Sequence, residues 1–211
     1  MCSQLAYAPV TMREIALPLG KIQEVIKKFS PGVKLVSTPE SYSEVMNFRL
    51  QEYARRYPAV PQEFIDPFDS NALVFYSQGA CGEIVSTARL VFDSHWGLPD
   101  EKVLGKLIEP RRSRGERMME LGRFIIVQDN PALLKAYYRL FYVVTKLLNF
   151  DSIVMVLRQK ELNFHLKRVG AGLLEFDTGL NFGSKHQFAA IVWSLENTKP
   201  RFKLWMGVDD E

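Results

Sequence analysis

The 211-residue chain holds only two cysteines, Cys2 and Cys81, and three histidines. So few thiols, without a matching histidine spacing, exclude a disulfide framework and a zinc site. Long apolar runs are also missing. The longest, such as Leu140 to Val144 and Phe188 to Trp193, fall far short of the about 20 residues that a spanning helix needs. The opening stretch MCSQLAYAPVTMREIALPLG lacks a basic segment followed by a long apolar one, so no secretory signal and a cytoplasmic location are expected. No internal repeat and no Pro-, Ser- or Gly-rich linker breaks the chain. One domain over 1–211 is therefore expected, with 1–31 as a helical extension and 197–211 as a tail. A strong charge of one sign is absent too: 27 basic against 24 acidic residues leave +3, too little to argue for a nucleic-acid partner.

What is present is an ordinary globular balance, 47% hydrophobic and 24% charged, in a chain long enough to bury roughly 70% of its unfolded surface. Leu19, Ile22, Val25, Ile26 and Phe29 form one helical stripe. Gly32 to Ser37 reads as a short strand, and Thr38-Pro39 as the cap and first position of a helix that Pro58 stops. Asn71–Ser77 and Glu83–Asp93 read as a hairpin, Pro99–Leu107 as a short helix, and Met118–Val127 as a central strand. Asp129-Asn130-Pro131 opens a long helix to about Asn149, and the β-branched run Ser152–Leu157 is a buried strand. A helix over Glu161–Val169, ended by Gly170, and two strands at Leu173–Phe176 and Phe188–Leu195 complete the pattern. The central strand-helix-strand unit predicts an α/β protein with a mixed sheet. Four arginines in seven residues, Arg111, Arg112, Arg114 and Arg117, read either as a solvated loop or as a dock for something acidic.

This element order, with the Arg-Val-Gly-Ala turn at 168–171, resembles the GNAT N-acyltransferase fold: a single mixed, twisted sheet flanked by helices. Members that use acetyl-CoA cradle its pyrophosphate on a glycine-rich loop at a helix N-terminus. The corresponding stretch here, Val127-Gln-Asp-Asn-Pro-Ala-Leu133, has no glycine, carries Asp129, and includes Pro131, which has no amide proton. That points to a donor on the phosphopantetheine of an acyl carrier protein, with no dissociable cofactor. Carrier proteins are acidic, so Arg158, Lys160, Lys167 and Arg168 are the candidate docking residues, with ordinary solvated helix charges as the plain alternative.

A charged set sharpens the likeness. Arg49, Asp66, Asp69, Arg89, Glu120 and Arg123, in order and approximate spacing, resemble the pattern of the acyl-homoserine-lactone synthases, which are GNAT-like and use acyl carrier proteins. The departures turn the resemblance away from S-adenosylmethionine: the tryptophans are Trp96, Trp193 and Trp205 rather than in an N-terminal loop, Tyr53 stands where phenylalanine is usual, and Gly122 precedes Arg123 where serine is common. The chain is more similar to the long-chain N-acyl amino acid synthases, including N-acyl tyrosine synthases. That resemblance implies transfer of a fatty acyl group to the α-amine of a free amino acid, with tyrosine as the acceptor. A lactone synthase, an acyltransferase with ornithine as acceptor, and a non-catalytic carrier-protein or lipid module are the alternatives.

Such a reaction needs a base, because an ammonium has no lone pair. Glu120 on the central strand is the candidate, its pKa raised by desolvation. The resemblance to the GNAT fold implies that the fourth strand splays from the fifth and frees a backbone amide, that of Ile125 or Ile126, to stabilise the oxyanion. The leaving thiolate has a pKa of about 8.5, so a general acid matters less; Leu166 stands where many GNAT enzymes carry a tyrosine, with His165 beside it. Arg49, Arg89 and Arg123 are candidates to bind the α-carboxylate, and one of them is expected to lock Asp66 or Asp69. Strict strand alternation puts Glu120 and Arg123 on opposite faces unless a bulge intervenes. Phe124, Tyr138, Phe141, Tyr142, Val154 and Val156 are the candidate acyl-chain groove, or simply core.

Overall fold

The computed structural model describes residues 18–57, 66–127, 129–180 and 185–208. Cys2, Pro58 and most of the expected N-terminal extension lie outside them. The first helix, α1 (Leu19–Phe29), buries Ile22 and Ile26 against a longer helix described below. Strand β1 is only Lys34–Leu35. Thr38 then caps α2 (Pro39–Arg56): its hydroxyl accepts the Ser41 amide, and Ser41 reaches back in a reciprocal capping box.

Strands β2 (Ala72–Gln78) and β3 (Ile84–Phe92) form the expected hairpin, and a 3-10 turn, Pro67–Asn71, leads into it. Helix α3 covers Glu101–Arg112, five residues further than the sequence suggests. Pro110 lies in its last turn, and Arg112 ties the end back to Asp93 and Glu101 with contacts of 2.7–2.8 Å. Arg111 pairs with Glu116 at 2.7 Å, and Arg117 lies 4.5 Å over the Phe150 ring. Three of the four clustered arginines thus have internal partners.

Then follow β4 (Met118–Ile126), α4 (Pro131–Leu147), β5 (Ser152–Arg158), α5 (Gln159–Phe164), β6 (Gly172–Glu175), β7 (Phe188–Ser194) and α6 (Pro200–Met206). Helix α5 ends in a π-turn, His165–Val169, closed by left-handed Gly170. The residues expected as a C-terminal tail include α6, which buries Phe202 and Met206 in the main core beside Trp193 and Tyr138. Among the described residues no helix is long and apolar enough to cross a membrane.

The seven strands form one mixed sheet in the order β1-β2-β3-β4-β5-β7-β6. Only the β4–β5 pair is parallel. The larger core joins α1, α4 and α6 to one face, while α2 and α3 bury Val45, Leu104 and Ile108 on the other.

Two irregularities of β4 position everything that follows. The first is its parting from β5: pairing covers only Met118–Glu120 against Ser152–Val154, although both strands run on. The second is a β-bulge. Thr87 faces Ile125 and Arg89 faces Gly122, so Arg123 and Phe124 together oppose Ala88 alone. Arg123 adopts φ 54° to make it, a left-handed conformation that costs a non-glycine residue about 1–2 kcal/mol. A bulge reverses the alternation of side chains beyond it. Glu120 and Arg123, expected on opposite faces, therefore open onto one cavity.

Candidate active site

Where β4 and β5 part, the gap opens into a cavity of about 1180 Å³, somewhat larger than the roughly 300–1,000 Å³ of most small-molecule sites. Glu120 to Ile126 line one side and Met155 to Arg158 the other. One end is charged, with Asp66, Arg89, Asp100 and Lys102; the other is mostly apolar, with Leu134, Tyr138 and Phe164.

The charged end rests on an ionic ladder. Arg49 from α2 contacts Asp69 at 2.7 Å and donates to Thr87 at 3.3 Å. Arg89 from β3 bridges Asp69 (3.0 Å) and Asp66 (2.6 and 3.1 Å). Arg123 completes the row on Asp66 at 2.6 Å, with its guanidinium 5.4 Å from the Tyr53 ring. Asp66 also caps the 3-10 turn by accepting the Phe68 amide at 3.0 Å. Burial would raise the Asp66 carboxyl, but its contacts with Arg89 and Arg123 outweigh this and hold it below the usual range. Burial likewise opposes the Arg89 charge, and the two aspartates more than restore it.

Glu120 is the opposite case. It is 2% exposed, and its Oε2 accepts the Asp100 amide at 3.1 Å. Burial, followed by the nearby negative charge of Asp100, pushes its carboxyl well up, against the pull of that amide, Arg89 and Arg123. Burial raises Asp100 as well. A buried carboxyl with a raised pKa in a cleft is a candidate for proton transfer.

The expected residues fall into two groups. Glu120, Asp66, Arg89, Arg123, Ile125, Ile126, Phe124, Tyr138, Val156, Arg158 and Lys160 line the cavity. Arg49 and Asp69 do not: Arg49, 2% exposed, stands behind the wall and buttresses it through Asp69, away from any carboxylate bound in the cavity. Phe141, Tyr142 and Val154 are core, not groove. Phe141 packs against Phe124 with ring centroids 5.4 Å apart, Tyr142 packs against Trp193, and Val154 sits opposite Glu120 with Met118 and Leu104. Lys167 and Arg168 are exposed on the π-turn, outside the cavity.

The two amides offered for the oxyanion also separate. Val127 donates to the Val85 carbonyl at 3.0 Å, and strand amides alternate sides. The Ile125 amide therefore belongs to the β3 side, where Ile125 faces Thr87, and the Ile126 amide faces the gap. At the apolar end, Tyr138 Oη lies 2.8 Å from His165 Nε2, and His165 Nδ1 lies 3.0 Å from the Glu161 carbonyl. A carbonyl only accepts, so Nδ1 carries the proton and the Tyr138 hydroxyl donates to Nε2. Burial lowers the His165 pKa, which keeps this pair neutral.

Sequence reading missed Asp100. Pro99-Asp100-Glu101 shows only as a helix start, and nothing local aims that carboxyl at a strand residue 20 positions away.

A family model described as N-acyl amino acid synthase FeeM matches residues 44–172. No curated protein sequence matches the chain. Among solved structures, FeeM, an N-acyl amino acid synthase from uncultured soil microbes, superposes with TM-score 0.66 at 12% identity, covering 82% of this chain and 92% of its own. TofI, in a ternary complex with an inhibitor and MTA, gives TM-score 0.62 at 16% identity over 84% and 97%. The AHL synthase LasI gives 0.60 at 16% identity over 85% and 96%. At these identities the structural likeness establishes the GNAT-like fold that they share.

Proposed function

Because the chain belongs to the FeeM N-acyl amino acid synthase family, we propose that it moves a long-chain fatty acyl group from an acyl carrier protein thioester to the α-amine of a free amino acid, with tyrosine as the first acceptor to test. The observation that carries this reading is Glu120, a buried carboxyl with a raised pKa at the parting of β4 and β5. Its carboxylate removes a proton from the acceptor ammonium. The freed nitrogen lone pair forms a C–N bond to the thioester carbon, and the Ile126 amide steadies the negative oxygen. The C–S bond then breaks with its electron pair on sulfur. Of the two protons that nitrogen loses overall, one ends on the sulfur and one in solvent. Arg123, on the cavity wall, is the cation for the acceptor's α-carboxylate.

The carrier-protein donor is supported by the α4 N-terminus. Asn130 occupies it with its own side chain, which accepts the Leu133 amide at 3.0 Å; Pro131 has no amide to offer, and Asp129 adds negative charge. A pyrophosphate finds little there. Arg158, Lys160, Lys167 and Arg168 lie at and beyond the other rim, where an acidic carrier would approach, and a cytoplasmic setting goes with such a donor.

The test is mass spectrometry of extracts after incubation with palmitoyl-carrier protein or palmitoyl-CoA, all standard amino acids, and S-adenosylmethionine. An N-acyl amino acid made from the carrier protein is the expected product, and its mass names the acceptor. An acyl-homoserine lactone overturns the acceptor class in favour of a lactone synthase. Equal turnover of palmitoyl-CoA, unchanged when the four basic residues are neutralised, overturns the donor. An intact thioester with no product points to a non-catalytic binding module.

A further inference from the structure

Asp100 occupies the N-cap of α3, where an aspartate ordinarily accepts an amide of the first helical turn. Its side chain makes no such bond. Glu101 takes the Leu98 amide instead, at 3.0 Å, and the Asp100 carboxyl lines the cavity next to Glu120. Its backbone amide, 3.1 Å from Glu120 Oε2, holds the two residues together. A good capping residue thus forgoes its own helix for the neighbourhood of a second acid.

We propose that Asp100 acts through Glu120 as a positioning residue, the two carboxyls sharing one proton in the resting protein. The inference rests on the reading of Glu120 as the base. The charges that face the pair support it. Arg89 comes from β3, Arg123 from β4 and Asp66 from the turn before β2, and Lys102 stands at the exposed rim. In the ladder, the three guanidinium groups of Arg49, Arg89 and Arg123 meet the two carboxylates of Asp66 and Asp69, which leaves one positive charge in excess. A carboxyl pair holding one proton carries one negative charge and balances it. The acceptor arrives as a zwitterion: its carboxylate is taken up at Arg123, and its ammonium, seated beside the pair, displaces the shared proton to solvent. Both carboxylates are then ionised, and Glu120 can accept a proton from the ammonium. The acceptor's own charge thereby arms the base, and an empty site keeps it disarmed. Burial raises both carboxyls; the Asp100 charge raises Glu120 further, while a hydrogen bond from the Glu120 carboxyl pulls Asp100 back.

The experiment is a carboxyl-¹³C NMR titration of the full chain, labelled at Asp and Glu, for wild type, Asp100→Asn and Glu120→Gln, with Asp100→Ser as a second variant that can still cap α3. In the wild type, Glu120 is expected to titrate in a coupled step with Asp100, its upper part above the ordinary carboxyl range. In D100N and D100S the Glu120 step is expected to fall by about one pH unit or more. The acid limb of kcat moves down with it, while KM for the acyl donor stays put. A role confined to starting α3 would change thermal stability and move neither limb nor titration. A single ordinary step for Glu120 in the wild type, or an unmoved step in both Asp100 variants, overturns the proposal. The titration needs no substrate, so failure of the acyl-transfer reading shows separately, as absence of product from wild type.

Discussion

Two carboxyls on the wall of one cavity, Asp66 and Glu120, are held in opposite conditions. Asp66 meets the guanidinium groups of Arg89 and Arg123 at 2.6 Å each and stays charged below the usual range. Glu120 is buried deeper, its neighbour is another acid, and both push its carboxyl well above the usual range. The difference lies in how the hydrogen-bond donors are distributed. Arg89 directs its bonds to Asp66 and Asp69, which leaves Glu120 a backbone amide. Divergent environments for two acids in one site separate a structural anion from a proton carrier. The ladder fixes the wall's shape, and the acid beside it is left with chemistry to do.

The strongest way to break this contrast is Glu120→Gln. Removing the base while keeping the shape is expected to lower kcat by about 100- to 10,000-fold, with the thermal midpoint at neutral pH no lower than wild type. Equal loss of stability and activity would make Glu120 a second structural acid. Arg89→Ala attacks the other side. It leaves Asp66 and Asp69 buried without their shared cation and is expected to cost about 3–5 kcal/mol of stability, read by denaturant unfolding. A cost under about 1 kcal/mol, the level of a surface pair, would remove the ladder from its role as a frame.

The two acids also have opposite signs in the dependence of stability on pH. Asp66, lowered in the folded protein from an ordinary 3.8, contributes stability present above that value and lost as the pH falls through its folded pKa. Glu120, raised from an ordinary 4.5, favours the folded state fully below that value, and this contribution is lost as the pH rises. Asp66→Asn should therefore flatten the acid side of the stability profile, and Glu120→Gln the side that falls with rising pH. Reversed assignments would invert the comparison.

The smallest effect is expected at the cavity's rim and beyond it. Neutralising Lys160, Lys167 and Arg168 together should lower kcat/KM for the carrier-protein donor about tenfold at low salt, with little effect at high salt, because exposed charges mainly steer encounter. Stopped-flow binding across ionic strength checks this.

The path from residues to site shows where local reading works. Thr38 caps its helix and the Asn71–Asp93 hairpin forms, because capping and turn chemistry act over a few residues. The parting of β4 from β5 is expected only through the resemblance to the acyltransferase fold, and of the charged set Asp66, Arg89, Glu120 and Arg123 line the cavity while Arg49 and Asp69 stand behind its wall. The groove was harder. Leu134 and Tyr138 line it, whereas Phe141 and Tyr142, on the same helix, pack into the core; which apolar side chains meet the gap depends on how α4 is rotated against the sheet. The tail at 197–211 has too few residues for a helical stripe to show, and α6 becomes visible only as Phe202 and Met206 enter the core.

By itself the sequence determined the class of fold and the order of its elements up to β7, because periodicity, caps and turn residues act locally; its likeness to the acyl-homoserine-lactone synthases singled out the charged set from Arg49 to Arg123, but not Asp100. Tertiary structure alone decided their roles. One extra residue in β4, opposite Ala88, carried Arg123 to the side of Glu120. The start of α3 brought Asp100 across 20 residues of chain, where burial raised the pKa of both carboxyls above the ordinary. Alternation and charge can be counted along a chain. Desolvation and the pairing of one buried charge with another exist only once the strands and helices have met.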